Sequence, residues 1–223
     1  EMPERQPQMH GFDEFWGILS TSLPTDPTDR DIQTMGVPMQ QILAAKAGAK
    51  AEQVGQMTLE YRGLIDREVT NKAVAYIKAN SKGEEPFFLY VPFINPHHPV
   101  VAHPDFKGKS GGGTYSDVLM EIDHNTGRVM DAIKQAGIDE NTIVVWLSDN
   151  GPTRYSLLPY ENGDPGPWTG ELGSVFEGGL RTAGMIRWPG TIKPMVADEL
   201  FHEMDFFPTL ARWTGATVPD DRP

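Results

Sequence analysis

Two apolar runs with one helical stretch between them occupy residues 86–148, and that order leaves few architectures open. The first run, "PFFLYVPF" from Pro86 to Phe93, is almost continuously apolar and bounded by prolines, as in a strand buried on both faces. From Tyr115 to Ala136, residues Val118, Leu119, Ile122, Val129 and Ile133 recur at helical spacing, with Gly137 as the stop. The second run, "TIVVWLS", follows at once. Strand, helix and strand in that order predict parallel pairing through a right-handed crossover.

The flanking sequence extends the pattern. Residues Leu64, Ile65, Val69, Ala73, Val74 and Ile77 predict a helix over 54–80, ending at "NSKGEEP". "TAGMIRWPG" predicts a short strand, and "DELFHEMDFFPTLARWTG" a closing helix with Asp205 near its start and Gly215 at its stop. The first 40 residues carry prolines at 3, 7, 24, 27 and 38 around the aromatic cluster "GFDEFWGIL", which predicts irregular structure. Tyr155 to Gly173, rich in Gly and Pro, reads as loop. No internal repeat or linker interrupts residues 1–223, so one α/β domain, or part of one, is expected.

Composition excludes several functions. Asp plus Glu number 31 against 19 Lys plus Arg, a formal net charge of -12, so no nucleic-acid partner and no membrane surface is expected. An anionic substrate would need a locally positive pocket. No run of about 18 apolar residues is available to cross a bilayer. The chain has no cysteine, which removes disulfides, zinc-thiolate sites and thiol nucleophiles.

Chemistry concentrates at a few places. Asp149 and Asn150 stand where "VVWLSDNGP" leaves its strand, the end at which open α/β sheets bind ligands. A carboxylate and an amide carbonyl are hard oxygen donors suited to Ca²⁺ or Mg²⁺. Asn-Gly is equally a common turn dipeptide, and residue type alone leaves both readings open. The loop "NPHHPVVAH" offers His97, His98 and His103 as anion donors or general acids, or as locally bonded loop residues. Glu177 and Arg181 flank the Gly178-Gly179 pair, which reads first as a tight bend braced by an ion pair and second as an anion site at Arg181. Glu121 and Asp123 lie two apart on the predicted helix, so their side chains diverge and do not form a catalytic pair.

In this order, "GFDEFWG", "PFFLYVPFINPHHP", "YSDVLMEIDHNTGRVMDAI", "IVVWLSDNGP", "GSVFEGGLRTAGMIRWPG" and "DFFPTLARWTG" resemble the sulfatase family of the alkaline phosphatase superfamily. The resemblance implies an α/β fold with a mixed, largely parallel sheet flanked by helices. It also implies hydrolysis of sulfate esters by a formylglycine nucleophile beside one divalent cation, usually Ca²⁺, with Mg²⁺ as the other candidate. By the same resemblance Asp149 and Asn150 match metal ligands, and His97 matches the histidine that contacts the sulfate and assists departure of the alcohol. The implied partner is a sulfate-ester small molecule or a sulfated glycan. A phosphate or phosphonate ester hydrolase of the same superfamily, and a non-catalytic sulfatase-like binding module, are the alternatives.

The chain departs from the family pattern in three respects. The family nucleophile sits in a Cys/Ser-x-Pro-Ser/Thr-x-Arg-like stretch, and the nearest echo, "SLPTD" from Ser22 to Asp26, lacks the arginine and follows "GFDEFWG" where it should precede it. An Asp-Asp pair of metal carboxylates is expected near a family member's start, but the chain's Asp220-Asp221 lies at the opposite end. Leu172 stands about where many sulfatases carry a sulfate-binding lysine, with Lys107, Lys109 and Arg154 as the cations that could replace it. The expectation is a fragment of a sulfatase catalytic domain over residues 1–223, inactive alone, whose partner is the missing N-terminal portion of the same protein.

Overall fold

The computed structural model describes residues 3–20, 36, 38–153 and 163–218. They fall into two compact units, residues 1–139 with 152–164, and residues 140–151 with 165–223.

In the first unit, strands β1 (Glu14–Gly17), β2 (Gln41–Lys46) and β3 (Glu52–Gln56) form an antiparallel sheet in the order β1-β2-β3. Trp16 stands opposite Ala44 and Ile42 opposite Gly55, with an irregularity between Ile42 and Leu43. A single helical turn, α1 (Leu59–Arg62), starts at Thr58, whose hydroxyl accepts the Tyr61 N–H at 3.1 Å. Capping of this kind fixes where a helix begins. Helices α2 (Ile65–Asn80) and α3 (Thr114–Gln135) then pack against each other. α2 buries Ile65, Ala73 and Ile77, and α3 buries Val118, Ile122, Ala132 and Ile133. Ile42, Met57, Ile65 and Ile94 form a core cluster between sheet and helices, with Trp16, Ile18, Tyr61 and Val69 packed on it.

The second unit contains β4 (Val144–Leu147) and β5 (Gly184–Arg187), which pair antiparallel with Val145 opposite Ile186. It also holds the short helix α4 (Glu177–Leu180) and the closing helix α5 (Phe206–Thr214). The turn before α5 is capped by His202, whose Nδ1 accepts the Met204 N–H while Asp205 accepts the His202 N–H. Gly215, at φ 76°, ends α5 in the left-handed conformation that glycine adopts without a Cβ penalty.

Helix 115–136, strand 142–148, strand 184–187 and the closing helix all form within a few residues of the sequence expectation. Four expectations change. Glu14–Gly17, inside the stretch expected to be irregular, is strand β1, because it pairs along Leu43–Lys46 of β2. The helix expected from 54 begins after Thr58, because Val54 and Gly55 belong to β3 and Thr58 supplies the cap. The expected parallel pairing is not formed: every ladder among the described residues is antiparallel, and residues 86–93 join none of them. Pro86 and Pro92 have no N–H to give a ladder. Side chains in that run alternate between half-buried and exposed, with Phe88 64% and Tyr90 69% exposed, so it is not buried on both faces.

Candidate functional site

Asp149 and Asn150 lie on the bend directly after β4, so the turn and the donor pair coexist at one place. The Asp149 side chain is exposed and Asn150 half-buried. Asn150 donates its amide nitrogen to the Gly151 carbonyl at 2.9 Å, which leaves its carbonyl oxygen, the atom a hard cation requires, outside that bond. The bend is fastened on both sides: the Thr182 hydroxyl donates to the Ser148 carbonyl at 2.6 Å, and the Gly151 N–H donates to the Gly179 carbonyl at 2.9 Å.

Gly178 and Gly179 explain why α4 can approach so closely. A Cβ on Gly151 would lie 2.0 Å from the Gly178 carbonyl oxygen, one on Gly178 2.6 Å from that of Gly170, and one on Gly179 2.4 Å from that of Glu171. The pair is helical, so close backbone approach, and not a positive φ, is what demands glycine here. Arg181 pairs with Glu177 and lies 4.2 Å from the centre of the Trp168 ring. Its charge braces α4, in agreement with the structural reading. Gly151→Ala is therefore expected to lower stability by about 1–3 kcal/mol through overpacking. Gly127→Ala, on α3 with nothing within 4 Å, is the control and should be neutral or slightly stabilising in the same thermal melts.

His97 lies in the first unit, in the loop from Ile94 to Ser110, with its side chain exposed. Its Nδ1 is 2.8 Å from the His98 carbonyl oxygen, which can only accept, so Nδ1 carries the proton and Nε2 is left to exchange one. Below it, Arg62 is fully buried and donates to the carbonyls of His97 at 2.6 Å, His98 at 3.1 Å and Pro99. Asp66, one helical turn on, accepts from the Ile94 N–H at 2.8 Å, the Asn95 N–H at 3.1 Å and the Asn95 side chain at 2.9 Å. Burial raises the Asp66 carboxyl above its ordinary range, opposed by those hydrogen bonds and by Arg62.

The far end of the loop is held by α3. Glu121 accepts the His103 N–H at 2.9 Å, and Asp117 accepts from the Gly108 N–H at 2.7 Å and from the Ser110 N–H and hydroxyl at 2.9 and 2.6 Å. Glu121 is pushed up to about 7, chiefly by burial, whereas Asp117 is held low by its Ser110 and Gly108 bonds. Asp123 is exposed and Glu121 buried, so the two acids do diverge as their spacing predicts. His103 is buried, with Nδ1 accepting the Asp105 N–H at 3.1 Å; burial lowers its ring below the ordinary histidine value.

Leu172 is partly exposed, and Lys107 and Lys109 are exposed in the first unit. Arg154, Ser22 to Asp26 and Asp220-Asp221 lie outside the described residues. Among the described residues, no group of three or more His, Asp or Glu side chains is placed to hold a metal ion. Asp149 and Asn150 fit a hard cation in donor type and would offer it two oxygens, against the roughly 6–8 that calcium takes.

A family model described as Sulfatase matches residues 2–216. The N-acetylgalactosamine-6-O-sulfatase of Bacteroides thetaiotaomicron is 38% identical over 160 residues, 69% of this chain and 31% of its own. The N-acetylgalactosamine-6-sulfatase of Mus musculus is 31% identical over 229 residues, 99% of this chain and 42% of its own. Among solved structures, the PsFucS1 sulfatase from Pseudoalteromonas sp. matches with a TM-score of 0.87 at 26% identity, over 100% of this chain and 47% of that one. The chain thus spans less than half the length of these relatives. With a family model covering nearly all of its residues and a solved sulfatase sharing its α/β fold throughout, the chain belongs to the sulfatase family of the alkaline phosphatase superfamily.

Proposed function

We propose that the protein containing this chain is a sulfuric ester hydrolase acting on a sulfated glycan that contains N-acetylgalactosamine. The observation that carries the reading is the match to an N-acetylgalactosamine-6-sulfatase over 99% of these residues. In this reading the Asp149 carboxylate and the Asn150 carbonyl oxygen would hold a Ca²⁺ ion, with Mg²⁺ as the alternative, and the ion would supply Lewis-acid stabilisation of negative charge on the sulfate group. The nucleophile, a formylglycine, is supplied from outside these 223 residues. His97, with Nδ1–H committed to the His98 carbonyl, would act as the imidazolium, whose Nε2–H donates to a sulfate oxygen or passes its proton to the departing alcohol. The fastened loop supports His97 within its own unit and the clamped bend supports Asp149 and Asn150 within theirs, which favours the fixed side-chain positions that catalysis needs.

The test uses the full-length protein with 4-nitrophenyl sulfate and 4-nitrophenyl phosphate, before and after chelation of calcium. The expected result is sulfate hydrolysis that chelation abolishes and that D149A lowers about a hundredfold or more in kcat/KM. The 223-residue chain alone should turn over neither ester faster than buffer and should bind calcium weakly. Preference for the phosphate ester would assign the protein to phosphate chemistry, and full activity in D149A would remove the metal assignment.

A further inference from the structure

Between the sheet and the helices of the first unit is a cleft of about 340 Å³, lined by Trp16, Ile42, Val54, Gly55, Gln56, Tyr61 and Glu68. Such a volume lies at the small end of the ~300–1,000 Å³ typical of ligand sites. Its floor is the apolar Ile42, and Val54 is 54% exposed at its rim. Gly55 keeps it open: a Cβ there would lie 3.2 Å from Ile42 Cδ1 and would project a side chain into the space. The walls carry two aromatic rings, Trp16 and Tyr61, and a carboxylate, Glu68, oriented by a hydrogen bond from the Tyr61 hydroxyl. The exposed Lys72 holds its ammonium 4.6 Å from the centre of the Trp16 ring.

This set of groups selects among ligand chemistries. A simple cation would have to displace Lys72 from the Trp16 ring. A simple anion would meet Glu68 in a protein whose formal net charge is -12. A ring with an apolar face, several hydroxyls and one acidic substituent uses every group. Its face stacks on the Tyr61 ring, its hydroxyls bond Glu68 and Gln56, and its negative group pairs with Lys72, which keeps its place on the Trp16 ring. We infer that the Trp16–Tyr61–Glu68 cleft is an accessory subsite for a glycosyl unit of an acidic glycan. The inference rests on the sulfated-glycan reading for its substrate class and on the cleft for its location.

Trp16 packs on the core cluster, so its replacement would test folding as much as binding. The informative variants are K72M, E68Q, which keeps an acceptor for the Tyr61 hydroxyl, and G55V, which fills the cleft. On the full-length protein, a tetrasaccharide of alternating glucuronate and N-acetylgalactosamine 6-sulfate should show a KM raised about tenfold in K72M and E68Q, the weight of one charged contact. G55V should raise it further. KM and kcat for 4-nitrophenyl sulfate, too small to reach a second subsite, should not change. An unaltered tetrasaccharide KM in all three variants overturns the subsite while leaving the sulfatase reading intact. If neither ester is turned over, that reading fails and calorimetric titration of the same tetrasaccharide decides the cleft by itself: Kd must rise in the variants. Binding of choline but not the tetrasaccharide, weakened by E68Q, would also overturn it.

Discussion

Replacing Arg62 with methionine is expected to cost about 3–5 kcal/mol of stability, a large part of the ~5–15 kcal/mol by which a domain of this kind is stable. The side chain is fully buried, and its guanidinium donates to the carbonyls of His97, His98 and Pro99. Methionine fills similar volume but donates nothing, so those carbonyls lose a partner in a place water reaches poorly. It also removes the positive charge beside the buried Asp66, whose ionised form then loses one of the interactions that hold its pKa down. Arg67→Met is the control. Arg67 bonds Asp105 at 2.6 Å, but the Asp105 side chain is 61% exposed, and a screened pair of that kind contributes about 1 kcal/mol at most. Urea midpoints for the two variants should therefore differ several-fold in their displacement. Equal displacement would show that Arg62 does not carry the histidine loop.

Arg62 also marks where the sequence was hard to read. The helices α2 and α3 are legible because their apolar residues repeat every three or four positions, and Gly137 and Gly215 mark the ends of α3 and α5. The same periodicity places Arg62 four residues before Asp66, and Asp117, Glu121 and Asn125 four apart along α3. All five are buried. Polar residues at that spacing beside an apolar stripe carried a signal that they share the inward face, but charge alone suggested solvent. The buried stripe of α3 is rotated slightly from the one that spacing predicts, since Leu119 is 45% exposed. Residues 41–56 gave no strand signal because β2 is alanine-rich and lacks alternation. The place of Asp149 and Asn150 after a strand was legible from the apolar run before them, whereas the role of Gly178 and Gly179 required their distance from Gly151, which no linear spacing encodes.

Glu121 makes the fold's stability fall as pH rises. Its carboxyl is raised from 4.5 to about 7 in the folded chain, first by burial and further by the nearby Asp66, against the opposing hydrogen bond from the His103 N–H. Between those two values the unfolded chain gives up the proton and the folded chain keeps it, so the folded state binds more protons. The stabilisation is complete below about pH 4.5 and is lost through about pH 7, a change of about 3 kcal/mol at 1.36 kcal/mol per unit. Asp66, also raised by burial, adds a slope of the same sign from its lower ordinary value. His103 works the other way: its ring is lowered by burial and by Arg67, against Asp105, so its contribution is present above 6.5 and lost as pH falls. The difference between wild type and Glu121→Gln isolates Glu121, because glutamine keeps an acceptor for the His103 N–H and does not titrate. Relative to the variant, the wild-type urea midpoint should decline by ~1–2 M from pH 4.5 to 7.5. Parallel pH profiles for the two proteins would place the Glu121 carboxyl in an ordinary, solvated environment and remove it from the packed face of α3.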